Sequence, residues 1–124
     1  MSIELKRAFE TPSRDDGYRV LVDRLWPRGV AKADARIDEW CKEIAPSDEL
    51  RKAFHGVELG WGEFRRRYLA ELKAHRETLR GLAERAASDT VTLVFAAKDE
   101  RHNNAVVLAQ YLAMLAPGLR ADSS

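Results

Sequence analysis

The sequence predicts a single α/β domain built on a small mixed, mainly parallel sheet flanked by helices. Three observations carry that expectation. Two runs, residues 18–26 and 90–97, are apolar on both alternating faces, the pattern of strands covered on both sides. Between them lie segments with apolar residues three and four apart, long enough for a helical crossover, which is right-handed and joins parallel strands. The length of 124 residues suits one domain, and a chain of that size buries roughly two-thirds of its unfolded surface.

Residues 2–9 alternate, Ile3 and Leu5 against Glu4 and Lys6, which predicts a half-exposed strand at a sheet edge. Residues 11–17 are turn formers, too few for a crossover helix. The first strand is therefore expected to run antiparallel to the second if the two are neighbours. In residues 18–26, Val20, Val22, Arg24 and Trp26 share one face, and Leu21, Asp23 and Leu25 the other. Pro27 ends that ladder and Gly29 lets the chain turn. Ile37, Trp40, Cys41 and Ile44 fall at helical spacing and predict a short helix, with Asp34 or Asp38 as its cap and Pro46 as its stop. On that stripe Cys41 is expected to be an inert core residue.

Ser47 suits the N-cap of the next helix, with Asp48 and Glu49 in its positive first turn, Phe54 near its end and Gly56 beyond. One long helix is predicted over residues 61–87, with Trp61, Phe64, Tyr68, Leu72, Leu79, Leu82 and Ala86 on its apolar face. The strand over residues 90–97 follows, then a final helix over residues 103–116, ended by Pro117 and Gly118. The domain is thus expected to span residues 1–116, with 117–124 a loose tail.

Charged residues make up 33% of the chain, yet the net charge is only +1, so no general field draws in nucleic acid or an anionic membrane. No apolar run approaches the length of a membrane span, no secretory leader is evident, and a single cysteine fits a reducing compartment; the protein is expected in the cytoplasm. The three histidines and Cys41 lack metal-ligand spacing, and no nucleotide fingerprint or Ser-His-Asp order is present, so neither metal nor cofactor is expected.

Chemistry is expected where the two buried strands end. Parallel strands finish at one edge, the edge where open α/β sheets bind ligands. This would set Asp23, Arg24, Trp26 and Arg28 beside Lys98, Asp99, His102, Asn103 and Asn104, at the N-terminus of the last helix. Arg24, Arg28 and Lys98 suit an anion, Trp26 could stack on a ring, and Asn103 and Asn104 could add hydrogen bonds. Asp23 and His102 are the candidates for general acid–base work. The structural alternative pairs Asp23 with Arg24 or Arg28 and makes Asp99 or Asn103 a helix cap.

These residues also resemble the YeaO-like family of small bacterial proteins, a domain of unknown function. The resemblance covers nearly the whole chain and rests on Leu5-Lys6-Arg7, on residues 17–29, and on Trp40, Ala45-Pro46-Ser47, Leu50-Arg51, His55, Phe64 and Arg67-Tyr68. It extends to Thr92-Leu93-Val94, Ala96-Ala97-Lys98-Asp99 and His102-Asn103-Asn104-Ala105. It carries no reaction with it. More distant relatives have a late Cys-His-Arg element; here the segment reads His102-Asn103-Asn104, which argues against thiol chemistry. Two functions follow. The first is binding, with or without turnover, of a small anionic or phosphorylated ligand at the sheet edge. The second is a noncatalytic regulatory or partner-binding module using the long basic helix with Arg65, Arg66 and Arg67.

Overall fold

A computed structural model describes residues 2–56, 58–115 and 120–121. Five strands form one sheet: β1 (Ser2–Arg7), β2 (Tyr18–Leu21), β3 (Glu39–Trp40), β4 (Thr90–Phe95) and β5 (Arg120–Ala121), in the order β3-β2-β4-β1-β5. Every pairing is parallel. The helices are α1 (Lys32–Ala35), α2 (Asp48–His55), α3 (Trp61–Leu72), α4 (Arg76–Ser88) and α5 (Asn104–Leu115). The small single α/β domain is the one the sequence predicts, but among the described residues its sheet is parallel throughout rather than mixed; β2 and β4 are adjacent and parallel as expected.

Side-chain alternation gives the sheet two unlike faces. Ile3, Val20, Val22, Val91, Leu93 and Phe95 point to one, where α2–α5 close a core that includes Phe64, Tyr68, Leu79, Leu108 and Leu112. Each such side chain, fully withdrawn from water, contributes about 1.5–3 kcal/mol. Among the described residues the other face carries a smaller apolar cluster, Ala8, Leu21 and Val94 with Trp26, Ile37 and Trp40. Beside it lies an ionic layer. Asp16 accepts from Lys6 Nζ at 3.1 Å and from Arg19 Nη1 at 2.6 Å. Arg19 Nε and Nη2 both donate to the Ala35 carbonyl, and Thr92 Oγ1 donates to the Asp16 carbonyl at 2.6 Å. Every charged nitrogen of the buried Arg19 thus has an acceptor, the condition for placing a guanidinium inside.

That layer explains the first departures from expectation. The ten residues between β1 and β2 need no helix to cross β4, because Asp16 and its 3-10 turn lie across Thr92. The strand β1 is therefore not an edge, and it does not neighbour β2, so the antiparallel pairing expected of neighbours does not arise. It lies between β4 and β5. The connector enters β2 through Gly17, whose φ of +62° only glycine adopts without strain.

The expected helix around Ile37–Ile44 is not there. Its residues form the short edge strand β3 followed by a 3-10 turn, Lys42–Ile44. The Asp38 amide donates to the Arg19 carbonyl, and Asp38 Oδ2 accepts from the Arg19 amide at 2.8 Å, so the segment zips onto β2. Ile37 and Trp40 then pack on one face of the sheet and Cys41 and Ile44 on the other. A three-four spacing arose from a strand joined to a turn. Asp34 and Asp38 cap nothing; the one-turn α1 has Ala31 at its N-cap position with no side-chain bond. Cys41 is nonetheless buried, and burial, with the nearby Glu39 and Glu43, pushes its thiol up to about 12. Native-state labelling of Cys41 at neutral pH should proceed only as fast as the chain opens; rapid stoichiometric labelling would contradict that placement.

Ser47 caps α2 as predicted, its Oγ accepting from the Leu50 amide at 3.2 Å, and the Glu71 carboxylate takes the Ser47 amide and hydroxyl in turn. The long helix is broken: α3 and α4 are separated by a 3-10 turn, Lys73–His75. No apolar anchor lies between Leu72 and Leu79. Both halves pack on α5; α3 also packs on α2, and α4 also packs on β4 and β1. The strand ends are earlier than predicted, at Leu21 and Phe95. Of the expected loose tail, Arg120–Ala121 pairs with Ser2 and Ile3 as β5. Residues 116–119 and 122–124 lie outside those described. No described helix is long and apolar enough to cross a membrane.

Candidate functional site

At the carboxyl edge of the sheet, β2 and β4 hand their chains to loops that Asp23 ties together. The Ala96 amide donates to Asp23 Oδ2 at 2.9 Å and Asn104 Nδ2 to Oδ1 at 3.1 Å. Asn104 Nδ2 also donates to the Val22 carbonyl at 3.0 Å. One carboxylate thus holds the exit of β2, the exit of β4 and the first turn of α5. Burial pushes its pKa up; the Asn104 and Ala96 bonds and the charges of His55 and Arg51 pull it back only in part. Asp23 pairs with neither Arg24 nor Arg28.

Around α5's N-terminus the amides of Arg101, His102 and Val106 already have side-chain acceptors. Asp99 Oδ1 accepts from the amides of Arg101 and His102, both at 2.9 Å, and those bonds hold its carboxyl below the ordinary value. Asn103 is buried and caps α5: Oδ1 accepts from the Val106 amide at 3.0 Å and Nδ2 donates to the Asp99 carbonyl at 2.8 Å. His102 is exposed, its Nδ1 3.3 Å from Asp99 Oδ2 and its ring 5.0 Å from the Trp61 ring.

The sequence-predicted residues therefore divide. Asp23, Asn103 and Asn104 meet at the junction of β2, β4 and α5. Trp26 faces the other way: its indole donates to the Val30 carbonyl at 2.7 Å and packs edge-on against Trp40. Arg28 and Lys98 are exposed, and among the described residues neither has a side-chain hydrogen bond or ion pair. Arg24 Nε donates to the Pro46 carbonyl at 3.1 Å and lies 3.8 Å from Asp48 Oδ1.

Two residues on α2 join this group that the sequence reading did not assign to it. Arg51 and His55 are four apart, hence on one helix face, and both act on the Asp23 charge. Arg51 Nη2 lies 3.4 Å from the same Asp48 oxygen that Arg24 approaches. Its Nε is closed off from solvent and has no acceptor among the described residues. Phe54, stacked on Phe64, and Trp61 form an aromatic wall that runs from His55 to His102. The spacing of Arg51 and His55 was the available signal, but it is equally the spacing of an ordinary solvated helix face.

The basic run on α3 is engaged within the fold rather than left free. Arg66 and Arg67 both pair with Glu63, and Arg65 Nε donates to Gln110 Oε1 on α5 at 2.9 Å. An open hollow of about 830 Å³ lies away from the Asp23 junction, between the loops that follow β1 and β2, with Arg14, Arg36, Asp34 and Asp38 on its walls. Among the described residues no group of three or more His, Cys, Asp or Glu side chains is placed to hold a metal ion.

Comparison with known proteins agrees with the motifs. The uncharacterized protein YeaO of Escherichia coli K12 is 50% identical over 115 residues, covering 93% of this chain and all of that protein. The uncharacterized protein Rv3073c of Mycobacterium tuberculosis H37Rv is 43% identical over 112 residues, covering 89% of this chain and 92% of that protein. Mb3100c of Mycobacterium bovis matches to the same extent. No solved structure matches. The family model DUF488-N3i, described as the inactive DUF488-N3 subclade, matches residues 2–120, and the chain belongs to that family.

Proposed function

We propose that this protein binds a small anionic or phosphorylated ligand at the carboxyl edge of its sheet and does not transform it. The observation that carries this reading is a pair of under-used guanidinium groups beside Asp23. Arg51 has a buried Nε without an acceptor and one long contact from Nη2. Arg24 has a single protein acceptor, the Pro46 carbonyl at its Nε, and among the described residues its terminal nitrogens have none. A buried donor left unmade costs roughly 1–3 kcal/mol, so an anion that re-aims Arg51 onto itself gains more than a contact with an already satisfied arginine. His55 and His102 are exposed side chains at the same edge of the sheet. Three things support binding without turnover: the family's description as inactive, the absence of the late cysteine, and the commitment of both Asp23 oxygens to hydrogen bonds that tie the loops. Arg28 and Lys98 act in this reading as exposed, screened charges.

Calorimetric titration with inorganic phosphate tests it. The wild type should bind, and Arg51→Ala should lose about 1.5–3 kcal/mol of binding, the scale of a charge-assisted hydrogen bond, with little change in melting temperature. Phosphate that binds neither protein, or binds both equally, would overturn the reading.

A further inference from the structure

We infer that Asp48 is a built-in competitor for the ligand, an intramolecular anion that occupies the space between Arg24 and Arg51. This rests on the anion-binding reading and adds to it the residue that sets affinity. One oxygen, Asp48 Oδ1, is shared by both arginines, at 3.8 Å from Arg24 Nε and 3.4 Å from Arg51 Nη2. Both distances are long for charge-assisted bonds, so the oxygen bridges the two cations without satisfying either. The Asp48 side chain is 61% exposed, whereas those of Arg24 and Arg51 are 32% and 29% exposed. The two cations are the more buried partners, and the anion between them is the more exposed one.

Loose exposed pairs of this kind are weak, so displacement is easy. A free carboxylate or phosphate oxygen entering between the arginines takes over the position of Asp48 Oδ1. It can also approach closer, because it is not tethered to the first turn of α2. Asp48 keeps a favourable place there after displacement, since it remains in the positive first turn of the helix. The carboxylate therefore swings aside at small cost, and it fixes what the site accepts: a compact anionic oxygen group able to serve two guanidinium groups at once.

Glu49 supplies the control. It is the neighbouring acid in the same helical turn, and among the described residues it pairs with no cation. Asp48→Asn and Glu49→Gln remove the same charge from the same helix end. Phosphate affinity should rise about three- to fivefold in Asp48→Asn, the span set by an exposed ion pair, and stay within about twofold of wild type in Glu49→Gln. Thermal melts of both variants report any loss at the α2 N-terminus separately. Equal tightening in the two variants would mean a general field effect and would overturn the role of Asp48. So would unchanged or weaker binding in Asp48→Asn, while Arg51-dependent binding by the wild type left the site itself standing. Absence of phosphate binding in all three proteins would overturn site and competitor together.

Discussion

Asp16→Ala should cost about 3–5 kcal/mol of folding stability, a large share of the roughly 5–15 kcal/mol that holds a small domain together. The reason is the charge it leaves behind. Arg19 is 3% exposed and would keep only the Ala35 carbonyl as an acceptor, with no counter-ion inside the sheet layer. Lys6 would lose its partner too, but its side chain is 19% exposed and can reach water. Chemical denaturation measures the loss; a change below about 1 kcal/mol would mean that Arg19 is not a buried, paired charge.

The same carboxylate gives the fold an acid limb. Burial alone would push the Asp16 carboxyl up, but the Ser13 amide, Lys6 and Arg19 outweigh it and hold the folded value below the ordinary 3.8. The unfolded chain then takes up the proton more readily than the folded one. The stabilisation is complete above the ordinary value and is lost as pH falls through the depressed one. Wild type should therefore lose stability below about pH 4 by a component that Asp16→Ala lacks.

Gly17→Ala should be nearly as damaging, at roughly 3–5 kcal/mol. A Cβ there would sit 2.2 Å from the Thr90 carbonyl oxygen, a backbone atom that cannot swing away, and φ is +62°. To relieve the clash, β2 and β4 must part at their first residues. Gly29→Ala separates the two causes. Its φ is +83° but nothing lies within 4 Å, so only the conformational cost of about 1–2 kcal/mol remains. Equal melting temperatures for the two variants would show that the approach of Gly17 to Thr90 does not constrain the sheet.

Much of this architecture was legible in the residues. The runs around Leu21 and Leu93 announced buried strands, and the helical length between them announced their parallel pairing. What was hidden is mostly tertiary. Lys6, Asp16 and Arg19 read as a strand surface, a turn and a strand surface, and no periodicity says that they meet. Ile37, Trp40, Cys41 and Ile44 mimic a helix because a strand and a tight turn place apolar groups at similar intervals. The break at Lys73–His75 follows from what α3 and α4 pack on rather than from any local breaker.

At the site, strand-end reasoning brought Asp23 to Asn104 correctly in space. It did not see that the carboxylate serves as a tie between loops. Arg51 and His55 were obscured because a charged face on a short helix is usually just solvated. Trp26 lies on the opposite side because the chain leaves the ladder after Leu21, so strand alternation no longer governs where its ring points.

The most direct test follows the Arg51 Nε–Hε resonance in a ¹⁵N-correlated spectrum during a phosphate titration. A guanidinium whose Nε gains an anion as acceptor should show a saturable shift with the same apparent affinity as the calorimetric binding. Arg19, buried and already satisfied by Asp16 and Ala35, is the internal reference and should not move. An Arg51 signal that stays put while phosphate binds, or that moves no more than Arg19, would contradict an anion site at this edge of the sheet.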